Sequence, residues 1–215
     1  MIQSIIFDLD GTLTDTLQDL ANSVNYALRK MNWRERSLDE VRRFVGNGVR
    51  KLVQRAVPEN TSEADYESCF ALFRQHYILH CQDNTRLYPG VGEMLQEVRR
   101  WGYKTAIVSN KLQAGVDELY DTYFRDVIDV AIGQREGMAL KPAPDMVELA
   151  LSQLGASKDE TVYVGDSEVD VQTARNAGLR CISCLWGFRD CEQLEAAGAT
   201  QFISHPKELL SILNN

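Results

Sequence analysis

The sequence predicts an α/β protein built on a doubly wound parallel sheet, into which a helical domain is inserted. Short apolar runs that read as strands alternate with helical patterns over most of the chain, which is typical of a parallel sheet covered on both faces. The alternation stops over residues 15–86, where only helical patterns occur. We therefore expect an α/β core made of residues 1–14 and 87–215, with residues 15–86 forming a separate helical domain.

Strands and helices are expected in a regular order along the core. The first strand is the apolar run Ile5-Ile6-Phe7, and later strands cover residues 104–109, 128–132, 161–165, 180–185 and 201–203. Helical patterns cover residues 91–101, 112–123, 144–154, 169–177 and 206–213. In the insert, apolar residues recur at helical spacing in three segments, which predicts three or four helices. Their apolar positions are Leu17, Leu20, Ala21, Val24, Leu28 and Met31; Val49, Leu52, Val53 and Ala56; and Tyr66, Phe70, Phe73 and Tyr77.

Charge and hydropathy narrow the possible classes of function. The formal net charge of -8 argues against a general nucleic-acid-binding protein, which needs clustered lysines and arginines. No apolar stretch approaches the roughly 18 residues that a membrane-spanning helix requires. The first strand begins close to Met1 and leaves no room for a signal peptide, so we expect a cytoplasmic protein. The expected oligomeric state is a monomer or a homodimer.

The cysteines and two of the histidines are expected to have ordinary structural roles. Five cysteines in a chain without secretory features favour reduced thiols. Cys181 and Cys184 form a C-x-x-C pattern, but positions three apart in a strand point to opposite faces, which disfavours a redox or zinc site. His76 and His80 have a spacing on one helix that permits a metal. An amphipathic helix with ordinary polar residues is the favoured interpretation.

Two aspartates directly after the first strand are the strongest indication of chemistry. Asp8 and Asp10 follow a buried strand at its carboxyl end, where open α/β sheets carry their sites. Positions two apart along an extended chain point the same way, so both carboxylates can face one site. One carboxylate can attack an electrophile while the other moves a proton. Gly11 permits a sharp turn and Thr12 offers a hydroxyl, although an aspartate-rich helix cap is the alternative explanation.

Polar residues also occur at three later points that complete this pair. Ser109 and Asn110 follow a strand, where a hydroxyl and backbone N–H groups can hold phosphate oxygens. Lys141 offers a cation in a loop that the next proline stiffens. Asp166 and Asp170 follow another strand and supply oxygen ligands of the kind that Mg²⁺ prefers. Each feature is common alone, but chance does not readily explain all of them at the strand ends of one sheet.

With these residues considered together, the sequence resembles the haloacid dehalogenase superfamily, and within it the phosphatases. The four motifs of that superfamily match Asp8-x-Asp10-Gly11-Thr12, Ser109, Lys141 and Gly165-Asp166-x-x-x-Asp170. Three stretches are similar to the phosphoglycolate phosphatase branch: Phe44-Val45-Gly46-Asn47-Gly48-Val49-Arg50, Lys141-Pro142-x-Pro144 and Tyr163-Val164-Gly165-Asp166-Ser167-Glu168-Val169-Asp170. The resemblance covers the whole chain. It implies a HAD-like core with an inserted α-helical cap, a Mg²⁺ cofactor and a small phosphorylated metabolite as substrate.

The resemblance also implies a role for each motif residue. Asp8 is expected to attack phosphorus and form an aspartyl-phosphate, while Asp10 protonates the leaving oxygen and then activates water. The residues expected to be catalytic are Asp8, Asp10, Ser109 and Lys141. Those expected to bind the phosphate are Leu9, Asp10, Ser109, Asn110 and Lys141. Those expected to hold Mg²⁺ are Asp8, Asp10 through its backbone carbonyl, Asp166, and Asp170 as an indirect or water-mediated partner.

A loop in the helical insert is expected to bind the non-phosphate end of the substrate. Gly46-Asn47-Gly48 is a turn signal before a helix that starts near Val49, and free N–H groups at a helix start favour an anion. Arg50 adds positive charge to that first turn. The hypothesis is that this loop and Arg50 bind the acid group of a small substrate. The alternative is that Arg50 is a solvated surface charge.

The expected activity is Mg²⁺-dependent hydrolysis of a small phosphomonoester, above all 2-phosphoglycolate. A sugar phosphomutase or a pyrophosphatase of the same superfamily shares much of the pattern and stays open. A phospho-acceptor signalling module is disfavoured, because it needs adjacent carboxylates after its first strand, whereas here they alternate. A dehalogenase is disfavoured because Asp10 and the acidic cluster have no evident use in halide displacement. The phosphate loop, the nucleophile elbow and the H-E-x-x-H pair are missing from the sequence.

Overall fold

Six parallel strands form the central sheet of a computed structural model that describes residues 1–214. The strands in chain order are β1 (Ser4–Phe7), β2 (Thr14–Asp15), β3 (Arg86–Leu87), β4 (Lys104–Leu112), β5 (Val130–Gln134), β6 (Thr161–Gly165), β7 (Arg180–Cys184) and β8 (Phe202–Ile203). The order across the central sheet is β5-β4-β1-β6-β7-β8, while β2 and β3 form a separate two-stranded sheet. The chain winds outwards from β1 in both directions, which confirms the predicted doubly wound α/β fold.

Helices cover both faces of the sheet. The α-helices in chain order are α1 (Leu17–Lys30), α2 (Leu38–Phe44), α3 (Gly48–Ala56), α4 (Glu63–His80), α5 (Val91–Arg100), α6 (Gln113–Leu119), α7 (Asp145–Leu154), α8 (Glu168–Ala177), α9 (Cys191–Ala196) and α10 (Pro206–Leu213). Ile5 and Phe7 of β1 share one buried cluster with α5, α6 and α10, whereas Ile6 shares another with α7 and α8. Successive side chains of a strand point to opposite faces, so Ile5, Ile6 and Phe7 bury apolar side chains on both faces of the sheet.

The strand order places a crevice at the carboxyl end of β1. The chain passes from β1 to β4 and β5 on one side, and later fills the other side with β6, β7 and β8. In doubly wound sheets the connections then leave in opposite directions at this strand, and ligands bind in the gap between them. The residues that follow β1, β4 and β6 therefore lie next to one another.

The chain divides into two compact units, of which the first is Met1–Thr14 with Leu87–Asn215 and the second is Asp15–Arg86. The second unit contains α1 to α4. Its buried apolar residues lie mainly on α1, α3 and α4, among them Leu20, Val24, Leu52, Val53, Phe70 and Phe73. The buried Asp19 carboxylate accepts hydrogen bonds from the backbone N–H groups of Asn84 at 3.0 Å and Thr85 at 2.8 Å. These bonds join the start of α1 to the segment after α4.

Two helices were not delimited by the sequence patterns. The α2 helix has one buried residue, Val41, and the α9 helix also has one, Leu194, so neither shows an apolar stripe. Both begin with a capping box, in which the Ser37 and Asp190 side chains accept a backbone N–H three residues later. Capping, rather than hydrophobic periodicity, is the local signal for these short helices.

Strand boundaries differ from the predicted ones around β4 and β5. The expectation that a strand begins at Ile128 is wrong. The N–H group of Ile128 donates a hydrogen bond to the Phe124 carbonyl at 2.9 Å, which closes a turn. The β4 strand continues beyond Ser109 to Leu112, with an irregular register between Val108 and Leu112. Among residues 1–214, no helix has both the length and the apolar character needed to cross a membrane.

Candidate active site

Three buried aspartates meet at the carboxyl ends of β1 and β6. Carboxylate oxygens of Asp8, Asp166 and Asp170 lie within 4.8 Å of one another. Phe7 is in register with Val164, and the N–H group of Asp8 donates to the Val164 carbonyl at 2.9 Å. This parallel pairing sets the residues that follow β1 beside those that follow β6.

Lys141 supplies a cation in the middle of this acidic group. Its Nζ atom lies 2.6 Å from Oδ1 of Asp8 and 2.8 Å from Oδ1 of Asp170, and it donates to the Tyr163 hydroxyl at 3.1 Å. Burial alone would lower the pKa of Lys141. The carboxylates of Asp170 and Asp8 outweigh that cost and hold the pKa of Lys141 well above its ordinary value. Lys141 is therefore a buried ammonium that is charged at neutral pH.

Asn110 fixes the backbone of Lys141. The Asn110 side-chain oxygen accepts the Lys141 N–H at 2.8 Å, and the side-chain nitrogen donates to the Lys141 carbonyl at 3.1 Å. This pair of bonds ties the end of β4 to the loop before α7. The amide of Asn110 therefore holds the backbone of Lys141 in place.

The carboxyl groups of the cluster carry more negative charge than one lysine balances. Burial, followed by the charge of Asp170, raises the pKa of Asp8 well above its ordinary value. The same two causes raise the pKa of Asp166 to about 7. Carboxylate oxygens are the ligands that Mg²⁺ prefers, and a divalent cation would relieve this repulsion. The donor set therefore fits a hard divalent cation.

Asp170 is the least available of the three as a direct metal ligand. Its Oδ1 atom accepts from Lys141 and from the Tyr163 hydroxyl at 3.1 Å. Its Oδ2 atom accepts from the backbone N–H groups of Asp166 at 3.2 Å and Ser167 at 3.1 Å, and from the Ser167 hydroxyl at 2.6 Å. Both oxygens are thus used within the protein, which suits an orienting role.

Asp166 is held by two donors from other segments. Its Oδ1 atom accepts from the Thr12 hydroxyl at 3.0 Å, and its Oδ2 atom accepts from the Phe188 N–H at 2.7 Å. A Cβ atom at Gly11, whose φ is +98°, would lie 2.4 Å from Asp166 Oδ2, and one at Gly187 would lie 2.3 Å from Asp166 Cβ. Only glycine at these two positions leaves space for the carboxylate.

Asp10 is paired with a second buried lysine. The Nζ atom of Lys111 lies 3.3 Å from Oδ1 of Asp10. The Asp10 side chain is 17% exposed and that of Lys111 is 2% exposed. Asp8 is therefore paired with Lys141, and Asp10 is paired with Lys111. The two carboxylates of the first motif thus have different environments.

The remaining predicted phosphate-binding residues lie beside this pair. The Ser109 hydroxyl is buried and accepts the Lys111 N–H at 3.2 Å. Leu9 belongs to the apolar core, and its carbonyl accepts the N–H groups of Leu13 and Thr14 at 3.0 Å each. Leu9 can therefore contribute to a phosphate site only through its backbone.

Comparison with known proteins identifies the family. Residues 5–184 match the family model of haloacid dehalogenase-like hydrolases. The chain belongs to this family. Within it, the chain is 32% identical to the phosphoglycolate phosphatase of Pseudomonas putida over an alignment of 216 positions, which covers 96% of the chain and 78% of that relative. It is 29% identical to the phosphoglycolate phosphatase of Aquifex aeolicus over 212 residues, which cover 98% and 96% of the two chains.

Solved structures agree with the family assignment. One of them is the crystal structure of a protein from Lactobacillus delbrueckii subsp. bulgaricus that is described as a phosphoglycolate phosphatase. It superimposes on this haloacid dehalogenase-like chain with a TM-score of 0.94 and 33% identity, over 98% of each chain. The predicted superfamily is confirmed, and so is the predicted enzyme class, a phosphoric monoester hydrolase.

In this haloacid dehalogenase-like hydrolase, Asn47 and Arg50, at the start of α3, contact residues of the helical unit. Gly46 and Gly48 have φ values of +120° and +80°. The side-chain oxygen of Asn47 accepts from Arg55 at 2.6 Å. The Arg50 guanidinium donates to Glu67 at 2.6 and 3.2 Å and lies 4.5 Å from the ring centre of Phe70. Substrate recognition by this loop stays a prediction.

The histidine and cysteine patterns of the haloacid dehalogenase-like chain have other partners. The His76 and His80 rings stack with centres 4.3 Å apart, while His80 Nδ1 lies 2.8 Å from Asp83 Oδ2. In residues 1–214, Asp8, Asp166 and Asp170 form the one grouping of three acidic, histidine or cysteine side chains with metal-binding spacing. All five cysteines are free thiols.

Sequence reasoning missed three contributors to this site. Lys111 directly follows the predicted Ser109 and Asn110, yet its pairing with Asp10 depends on the irregular end of β4. Tyr163 has a polar hydroxyl and lies between two valines in a buried strand, which is a usable signal. The Phe188 N–H group gives no signal in sequence, because every residue except proline carries one.

Proposed function

We propose that this protein is a Mg²⁺-dependent phosphatase that hydrolyses a small phosphomonoester, most favourably 2-phosphoglycolate, through an aspartyl-phosphate on Asp8. The observation that carries the proposal is the position of the Lys141 ammonium, 2.6 Å from Asp8 Oδ1 inside the buried aspartate cluster. A phosphate dianion can approach a carboxylate only where positive charge surrounds both. The names of two relatives that match almost the whole chain support the choice of substrate.

Each residue of the chain would then have one task. Asp8 attacks phosphorus, and Lys141 fixes the attacking carboxylate and balances charge on the transferring oxygens. Asp10 protonates the leaving oxygen and afterwards takes a proton from the hydrolytic water. Ser109, together with the backbone of Leu9 and Asn110, holds phosphate oxygens.

Asp8, Asp166 and the backbone carbonyl of Asp10 would hold Mg²⁺, with Asp170 acting indirectly. The bound ion would supply positive charge that shields the incoming phosphate. Asp170 would orient Lys141 and the backbone of Asp166, since its two oxygens accept five hydrogen bonds from the protein, compared with two for Asp166.

The rest of the proposal concerns the setting of the reaction. Residues 15–86 would act as the cap, and the loop with Gly46, Asn47, Gly48 and Arg50 would contact the non-phosphate end of the substrate. The partner is a small anionic metabolite. We place the enzyme in the cytoplasm as a monomer or homodimer.

A phosphate-release panel tests the proposal. Purified protein is incubated with 2-phosphoglycolate, other small phosphomonoesters, pyrophosphate and a hexose 1-phosphate, with Mg²⁺ or with excess chelator. We expect Mg²⁺-dependent release that is fastest for 2-phosphoglycolate and absent in Asp8→Asn. Faster hydrolysis of pyrophosphate, or isomerisation of the hexose phosphate, would replace the proposed reaction with one of its superfamily alternatives.

A further inference from the structure

We infer that Lys111 determines substrate specificity, by binding a carboxylate carried next to the phosphate ester of the substrate. The inference rests on the proposed function and adds to it the group that selects an acidic substrate. It arises from the contact between Lys111 Nζ and Asp10 Oδ1 at 3.3 Å.

The stem of Lys111 is confined along its length. Its side chain is 2% exposed, and a Cβ atom added at Gly115 would lie 3.1 Å from Lys111 Cε. The first turn of α6 thus leaves just enough room for the aliphatic chain. An ammonium held in this way has little freedom to turn towards solvent, so it stays directed at Asp10.

Stability alone does not account for this lysine. A buried lysine paired with a carboxylate loses about as much hydration energy as the pair regains, so such pairs are seldom kept for stability. Lys111 and Lys141 are the buried lysines among residues 1–214. Lys141 is occupied by Asp8 and Asp170, where phosphoryl transfer would take place. Lys111 lies instead beside the proposed acid.

The part of the site around Asp10 is more exposed to solvent than the part around Asp8 and Asp170. The Asp10 side chain is 17% exposed, compared with 9% for Asp8 and 1% for Asp170. A leaving group protonated by Asp10 would therefore extend past Lys111. One methylene separates the ester oxygen of 2-phosphoglycolate from its carboxylate carbon, so the carboxylate oxygens lie about 2.6 to 3.6 Å from the ester oxygen at ordinary bond lengths.

These distances bring the substrate carboxylate within reach of Lys111. A group in contact with Asp10 is close to the ammonium, and an ammonium has three N–H donors with which to serve more than one acceptor. An ester with a methyl group in place of the carboxylate would offer the ammonium no charged acceptor on the leaving group. Selection against such esters follows, because they lose a charge-assisted hydrogen bond that 2-phosphoglycolate can make.

Paired substrates test the inference. kcat/KM is measured for 2-phosphoglycolate and for ethyl phosphate, which has the same length without the carboxylate, in wild type, Lys111→Met, Lys111→Arg and Gly115→Ala. The matched control is Lys104→Met, which changes the same residue type at the other end of β4. Thermal melting verifies that each variant is folded.

We expect Lys111→Met to lower kcat/KM for 2-phosphoglycolate by about tenfold to a hundredfold more than kcat/KM for ethyl phosphate. Lys111→Arg should keep most of the preference, Gly115→Ala should reduce it to a smaller degree, and Lys104→Met should preserve it. Equal losses on both substrates would show that Lys111 only positions Asp10, and would overturn the inference alone. A wild type that does not hydrolyse 2-phosphoglycolate would overturn the proposed function as well.

Discussion

Lys141 Nζ lies 2.6 Å from Oδ1 of Asp8, although 133 positions separate the two residues in the chain. The contact depends on the parallel pairing of β1 with its neighbours and on the clamp that Asn110 forms with the Lys141 backbone. The Lys141 ammonium therefore lies beside the proposed nucleophile, Asp8, without any need for substrate to position it.

Removing the Lys141 ammonium should damage both stability and activity. In Lys141→Met, Asp8 and Asp170 lose their buried partner, which should lower the free energy of unfolding by about 3 to 5 kcal/mol. Phosphate release should fall by at least about a hundredfold. Urea unfolding without Mg²⁺ and steady-state kinetics measure the two effects, with Lys104→Met as control. Near-normal turnover in a folded variant would contradict the role given to Lys141.

The Tyr163 hydroxyl should tune Lys141 without being essential. It accepts from Lys141 and donates to Asp170, both at 3.1 Å. Tyr163→Phe removes these bonds and little volume, so we expect kcat to drop by about tenfold while KM changes little. The matched control is Tyr120→Phe, which removes the hydrogen bond from the Tyr120 hydroxyl to the Ile128 carbonyl. A larger change in KM than in kcat would assign Tyr163 to binding instead.

Mg²⁺ should stabilise the folded protein as well as activate it. A ligand that binds only the folded state adds about 2.7 kcal/mol at a concentration of 100 Kd, so the melting temperature should rise with Mg²⁺. Asp166→Asn should abolish this rise and the activity together, whereas Asp121→Asn, in an exposed ion pair with Arg125, should retain both. Differential scanning fluorimetry in a Mg²⁺ titration provides the readout. An unchanged rise in Asp166→Asn would remove Asp166 from the metal site.

His76 should make stability fall in mild acid. Burial, followed by the charges of His80 and Arg29, lowers the pKa of His76 below 6.5, and the opposing effect of Asp83 is smaller. The unfolded chain then binds more protons than the folded one below about pH 6.5, so stability decreases as the pH drops through the folded pKa. Urea unfolding between pH 7.5 and pH 5, about the range where histidine titrates, should show a weaker slope in His76→Gln. Parallel slopes would disprove the assignment.

The Asp19 carboxylate should stabilise the helical unit locally. It is buried and accepts from the backbone of Asn84 and Thr85, and Asp19→Ala would leave those donors without a partner. We expect a loss of about 3 kcal/mol, because each unsatisfied buried donor costs about 1 to 3 kcal/mol. Hydrogen exchange should speed up within Asp15–Arg86. Uniform acceleration over the whole chain would argue against a local effect.

The fold was readable from sequence because its signals are repeated. The strands of the central sheet contain short apolar stretches and most core helices carry an apolar stripe, so periodicity located them to within a few residues. It failed for α2 and α9, which bury one apolar residue each. Periodicity also failed at Ile128, because this apolar residue belongs to a turn that precedes β5.

The candidate site was readable only in part, for a different reason. Motif spacing brought attention to Asp8, Asp166 and Asp170, which the structure places together. It could not indicate that the Asn110 amide would bind the Lys141 backbone, or that Lys111 would turn to Asp10, since both depend on distances across strands. Local sequence describes residue types, whereas partners are set by strand order and register.

Rapid acid quench during turnover of 2-phosphoglycolate, followed by peptide mass mapping, tests the central claim most directly. The account predicts one phosphoryl group on the peptide that contains Asp8, lost on standing at neutral pH and never formed in Asp8→Asn. Turnover without any such adduct, or an adduct on a different residue, would contradict it.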